Sequence, residues 1–115
     1  MPVYAFYCRD GEDAPKIRPT VREEHFAHIF AHVGAYTLGG PLKREGEAIG
    51  SLVMIEATDE AAARAIFEAD PYFIAGVWHS INVDEFVPLG IRLRRGGYRP
   101  HPVSPSLVGP VLQVR

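Results

Sequence analysis

Ile49-Gly-Ser-Leu-Val-Met-Ile-Glu-Ala57 runs directly into Thr58-Asp-Glu-Ala-Ala-Ala-Arg-Ala-Ile-Phe-Glu-Ala69. The first stretch is apolar on both faces and rich in residues that suit a pleated surface, so it predicts a buried strand. The second is alanine-rich with Ile66 and Phe67 as anchors, and predicts a helix. Thr58 or Asp59 stands where a side-chain oxygen can cap its first turn. Asp70-Pro71 then opens a further helical turn that ends near Gly76. Downstream, Val77, His79, Ile81 and Val83 alternate with Trp78, Ser80, Asn82 and Asp84, which predicts a last strand over 77–86.

Upstream, Val3-Tyr-Ala-Phe-Tyr-Cys8 reads as a first strand, also apolar on both faces. Arg9 to Pro19 reads as a polar loop. Thr20-Val-Arg-Glu23 has the form of a capping box, and the helix it opens places Phe26, Ile29, Phe30 and Val33 on one face. Gly34 suits the left-handed position after that helix. Ala35 to Leu38 predicts a short second strand, ended by Gly39-Gly40-Pro41, and Lys43 to Glu47 a charged hairpin loop. The order strand, helix, strand, strand, helix, strand is the ferredoxin-like split βαβ (βαββαβ). It is an α+β arrangement with an antiparallel sheet and helices on one face. Strands apolar on both faces leave the other side of that sheet unfit for water, so a homodimer packed sheet to sheet is expected, with higher homo-oligomers open.

The bulk numbers narrow the class. A chain of 115 residues, 47% hydrophobic and 23% charged, fits one ordinary domain. A net charge of -2 provides no basic footprint, so no nucleic-acid partner is expected. Cys8 is the one cysteine, which excludes an intrachain disulfide and fits a reducing compartment. No apolar run reaches the length of a membrane span, so no membrane partner is expected. The N-terminus lacks the basic and apolar regions of a signal peptide, and a cytoplasmic location follows as the expectation. Past Leu89 the composition changes. Arg92, Arg94 and Arg95 precede Gly96-Gly97, and prolines recur at 100, 102, 105 and 110. Residues 1–89 are therefore expected to form the domain and 90–115 a non-helical extension. Leu107 to Val114 is apolar enough to add a strand to a partner's edge; a flexible Pro-rich tail is the alternative.

His25 sits beside the apolar stripe of the first helix, at the margin where helix meets sheet. An imidazole there can exchange protons near neutral pH, and a carboxylate on its other nitrogen would fix its tautomer. Asp70 is a candidate for that carboxylate, although aspartate before proline is also an ordinary helix cap. His28 and His32 follow His25 on one helical face, but no carboxylate or cysteine has ligand spacing to them, so no metal site is expected. Arg22, one turn before His25, can bind a carboxylate or phenolate, or pair on the surface. Tyr4, Tyr7 and Tyr72 can line an aromatic pocket or simply pack. The amides of Gly39-Gly40-Pro41 can face an oxyanion or merely form a turn. Ser51 lacks a nucleophile elbow, Cys8 reads as packing, and Gly39-Gly40 lacks the lysine and hydroxyl of a phosphate loop.

Several short pieces, in this order, resemble the YciI-like (YCII-related) family. They are Val21-Arg22-Glu23-Glu24-His25-Phe26, Gly39-Gly40-Pro41, Gly50-Ser51, Ala69-Asp70-Pro71-Tyr72, Ala75-Gly76-Val77 and Val83-Asp84-Glu85-Phe86. The resemblance covers Pro2 to about Leu89. It implies a dimeric α+β barrel related in fold to the muconolactone isomerases, with His25 and Asp70 as the catalytic pair. The ligand-contacting set is then expected to include Arg22, Tyr7, Gly40, Pro41, Ser51 and Tyr72, with no cofactor. The expected function is acid-base chemistry, an isomerisation or elimination on a small cyclic or aromatic compound. The alternative is a non-catalytic small-ligand binding or sensing module of the same fold.

Overall fold

The computed structural model describes residues 1–89, 93–94 and 97–98. Four strands form one sheet: β1 (Val3–Asp10), β2 (Tyr36–Arg44), β3 (Glu47–Glu56) and β4 (Trp78–Phe86). Their order is β2-β3-β1-β4, and every neighbouring pair is antiparallel. α1 (Ala14–Ala31) joins β1 to β2; α2 (Glu60–Glu68) and the single turn α3 (Pro71–Ala75) join β3 to β4. This is the split βαβ read from the sequence. Short strands β5 (Leu93–Arg94) and β6 (Gly97–Tyr98) pair with each other. The expectations for Arg92, Arg95 and Leu107 to Val114 lie outside the described residues.

Strand alternation builds the core. Tyr4, Phe6 and Cys8 face the helices from β1, opposite Ile55, Val53 and Ser51 of β3. Phe6 stacks on Phe67 of α2 at 4.3 Å between centroids, and Phe67 stacks on Trp78 of β4 at 5.2 Å. The opposite sheet face carries Ala5, Tyr7, Leu52, Met54 and Phe86, none of them buried in the protomer.

The first helix begins seven residues earlier than the sequence predicts, in what reads as a polar loop. Pro15 lies in its first turn, where a missing N–H costs nothing. Pro19 lies inside the helix and forgoes the bond to the carbonyl four residues back. Thr20 is no cap: its hydroxyl donates back to the Ile17 carbonyl at 2.8 Å. The inward face is also not the one expected. Ala14 is buried and Ile17 and Val21 pack on the core, while Phe26, Phe30 and Val33 are exposed. Gly34 is not left-handed; the helix closes at His32, whose N–H reaches carbonyls of the preceding turn.

β2 is longer than expected, and Gly39-Gly40-Pro41 lies within it rather than ending it. β2 is an edge strand, where proline's missing donor is tolerated. The turn is Glu45-Gly46, both at positive φ between paired Arg44 and Glu47, as in a type I′ hairpin. Gly50 of β3 passes so close to β1 that a Cβ would collide with the Cys8 carbonyl oxygen. Gly76 ends α3 in the left-handed conformation.

Candidate functional site

Asp70 is the pivot of the site. Its backbone is extended, and its Oδ1 accepts from the Tyr72 N–H at 2.9 Å, so it caps α3 as the sequence predicts. The same carboxylate, only 1% exposed, receives His25 from α1. His25 Nδ1 lies 2.8 Å from Oδ1 and 3.0 Å from Oδ2. A deprotonated carboxylate can only accept, so Nδ1 carries the proton and Nε2 is the nitrogen left for exchange. The imidazole stacks on the Tyr72 ring at 3.8 Å and 3°. One short segment, Asp70 to Tyr72, thus fixes His25 both edge-on and face-on.

The ring borders a cleft of about 610 Å³. Arg18, Arg22, His25 and Ile29 supply one wall from a single face of α1, spaced four, three and four residues apart. Tyr36, Gly39, Gly40, Pro41 and Lys43 supply the facing wall from β2. Ser51, Val53, Tyr72 and Trp78 close the rest. Of the residues expected to contact a ligand, Arg22, Gly40, Pro41, Ser51 and Tyr72 all border the cleft. Tyr7 does not. It alternates with Phe6 and Cys8 along β1, and so stands on the open face of the sheet.

Arg18 is the site residue that sequence reasoning passes over, because it falls in the stretch read as a loop. Its guanidinium forms a two-pronged pair with Asp10, Nε to Oδ2 at 3.2 Å and Nη2 to Oδ1 at 2.8 Å. Nη2 also donates to Ser51 Oγ at 3.2 Å and lies 3.4 Å from the Gly50 carbonyl. Its Cζ is 5.3 Å from the centroid of the Tyr72 ring. The signal was available in the heptad-like spacing of Arg18, Arg22, His25 and Ile29, had the helix been carried back through Pro19.

Behind the β2 wall, the Tyr36 hydroxyl meets His28 Nε2 at 2.9 Å. Burial raises the Tyr36 pKa, and the charge of Asp70 adds to the shift. Burial lowers that of His28, with His32 working the same way against the opposing pull of Asp70. A neutral imidazole therefore accepts from a protonated phenol. The Cys8 thiol is pushed up to about 12 by burial, then by Asp10 and Asp70, which leaves it a packing residue. Trp78 is buried, and its indole N–H has no acceptor among the described residues. Among those residues no group of three or more His, Cys, Asp or Glu could hold a metal, and no helix is long and apolar enough to cross a membrane.

Comparison with known proteins bears on the family and the fold. The YCII-related domain matches residues 3–87. Protein YciI of Escherichia coli O6:H1 is 32% identical over 93 residues, covering 73% of this chain and 95% of that protein. Protein YciI of Shigella flexneri matches to the same extent. Among solved structures, the fold is shared with 5-chloro-2-hydroxyhydroquinone dehydrochlorinase (TftG) from Burkholderia phenoliruptrix AC1100, in complex with 2,5-dihydroxybenzoquinone. That similarity has a TM-score of 0.66 at 20% identity, over 74% of this chain and 93% of the other. With the domain matched over most of the chain and relatives at this identity, the chain belongs to the YCII-related domain family.

Proposed function

We propose that this chain is a small enzyme in which His25 is the general acid-base and Asp70 holds and charges it. The observation that carries the reading is the His25–Asp70 contact at the wall of a cleft. A structural cap needs only one carboxylate oxygen and no imidazole; here both oxygens lie within reach of Nδ1. The substrate is a small cyclic or aromatic compound, for which the cleft has the volume and the ring-lined walls. In the step proposed, Nε2 takes a proton from a ring carbon or hydroxyl. The electron pair left behind either shifts along the ring, so that Nε2 returns the proton elsewhere, or expels a leaving group. Asp70 stabilises the imidazolium formed in between. The fold shared with a dehydrochlorinase supports an elimination on a hydroxylated ring as the first chemistry to test.

The test incubates the protein with 5-chloro-2-hydroxyhydroquinone and with small unsaturated lactones in deuterated water. Chloride release and carbon-bound deuterium are followed for the wild type and His25→Asn. Loss of a positioned acid-base group should slow turnover by about 10²–10⁴-fold. Turnover unchanged in His25→Asn would overturn the assignment. Saturable binding with neither chloride release nor deuterium uptake would make the domain a ligand-binding module instead.

A further inference from the structure

We propose that Arg18 and Arg22 form an anion-binding subsite at one end of the cleft, so that the ligand is a cyclic compound carrying a carboxylate or phenolate. The inference rests on the cleft being the functional site, and adds the class of compound it selects. Three observations carry it.

The first is the sign of the lining. Arg18, Arg22 and Lys43 border the cleft, and no aspartate or glutamate does among the described residues. Asp70 lies behind His25, and Asp10 behind Arg18, each already engaged. Neither Arg22 nor Lys43 has an ion-pair partner among the described residues, although the chain as a whole is net negative. A one-signed cleft with low-dielectric walls concentrates ligands of the opposite sign.

The second is how Arg18 is held. Asp10 engages Nε and one hydrogen of Nη2, and Ser51 Oγ and the Gly50 carbonyl share the other Nη2 hydrogen. Nη1 has no partner among the described residues. A guanidinium fixed on one edge and unfilled on the other is a preorganised donor, because its rotamer entropy is already spent before a ligand arrives. A merely structural Arg18–Asp10 pair would not need to border the cleft.

The third is spacing. Arg18, Arg22 and His25 follow one another on one face of α1, so the two guanidinium stems are about 6 Å apart along the axis and Arg22 stands about 4.5 Å from His25. A carboxylate or phenolate oxygen at the arginines therefore sets a single ring against His25. The anionic group orients the ring, and Nε2 meets an atom across from it.

Trp78 is the one tryptophan of the chain and borders the cleft, so its fluorescence reports occupancy. The probes are benzoate, its neutral isostere benzamide, and the benzylammonium cation. Benzoate should bind at least about tenfold more tightly than benzamide, and benzylammonium should give no saturable change. Arg22→Gln should erase the preference for benzoate, while the remote surface variant Arg64→Gln keeps it. Arg18→Gln risks misfolding by stranding Asp10, so Arg18→Gln with Asp10→Asn is the second variant; it too should lose the preference. Equal binding of benzoate and benzamide, no saturable binding of either at about 10 mM, or a preference surviving Arg22→Gln would each overturn the subsite. A retained anion preference in a protein without turnover would sink the acid-base reading alone.

Discussion

Replacing Asp70 separates its two tasks. In Asp70→Ala, α3 loses its cap, worth about 1 kcal/mol. The Tyr72 N–H and the His25 Nδ1–H are also left without their acceptor, and an orphaned buried donor costs roughly 1–3 kcal/mol. Asp70 is 1% exposed, so water cannot easily take over for either group. The stranded Tyr72 N–H is the lost cap itself and counts once; with the half-buried imidazole at the low end, the loss should be roughly 2–4 kcal/mol, a large part of the stability of a domain this size. Asp70→Asn keeps an oxygen for the Tyr72 N–H, since asparagine caps as well as aspartate. It loses the charge toward His25, and should cost only about 1–2 kcal/mol. Urea unfolding of the three proteins at neutral pH measures both differences; in melting temperature each kcal/mol is about 4–8 °C. The two variants should also part company in chemistry, because Asn restores the fold but not the charge behind His25. Alanine and asparagine variants equal in stability would refute the capping argument. Asn at full wild-type turnover would refute the role of the carboxylate charge.

Gly50→Ala should be the most damaging of the glycine substitutions, because its Cβ meets a backbone carbonyl that cannot swing away; a loss of about 3 kcal/mol or more is expected by urea unfolding, against little change for Gly40→Ala, where nothing lies nearby. Burial lowers the His28 pKa below 6.5, so the folded chain takes up this proton less readily than the unfolded one. Stability from His28 is therefore whole above the ordinary histidine value and is lost as pH falls through the lower folded value. Comparing unfolding midpoints across that window, His28→Gln should show a shallower loss than the wild type; identical slopes would count against it. The open sheet face, with Tyr7, Leu52 and Met54, should pair two copies, so sedimentation at micromolar protein should give twice the 12.7 kDa of the chain. Leu52→Glu should drive it to a monomer, and a monomeric wild type would end that expectation.

The order of elements along the chain, β3, α2 with a cap at Thr58 or Asp59 and the Asp70 cap of α3 were legible in the sequence, because each rests on local signals: apolar runs, alanine content and capping residues. The first helix was not. Its inward face carries Arg18, His25 and His28 among Ile17 and Val21, and its apolar Phe26, Phe30 and Val33 look outward. Polar side chains can line an inward face when they are paired, and the pairs here, Arg18 with Asp10 and His25 with Asp70, join residues distant in space until the fold closes. Gly39-Gly40-Pro41 misled for a related reason. Turn residues are also tolerated in an edge strand, and which strand is the edge is a property of the sheet. His25 and Asp70 were both singled out from the chain, but that one carboxylate spans both the cap and the imidazole depends on α1 lying against α3.

The β2 wall of the cleft offers one more consequence, in how such a domain can diversify. Gly39 and Gly40 present little more than backbone there. A Cβ at Gly40 would meet nothing within 4 Å, and one at Gly39 would make only ordinary contacts from 3.5 Å outward. Neither glycine takes the left-handed conformation that would forbid a side chain. New side chains at these two positions can therefore change the shape of the chamber one step at a time, without disturbing the packing beneath or the carboxylate-held imidazole opposite. The proposed acid-base pair and the shape of the chamber thus rest on separate elements, so substitutions can vary the second while the first is kept.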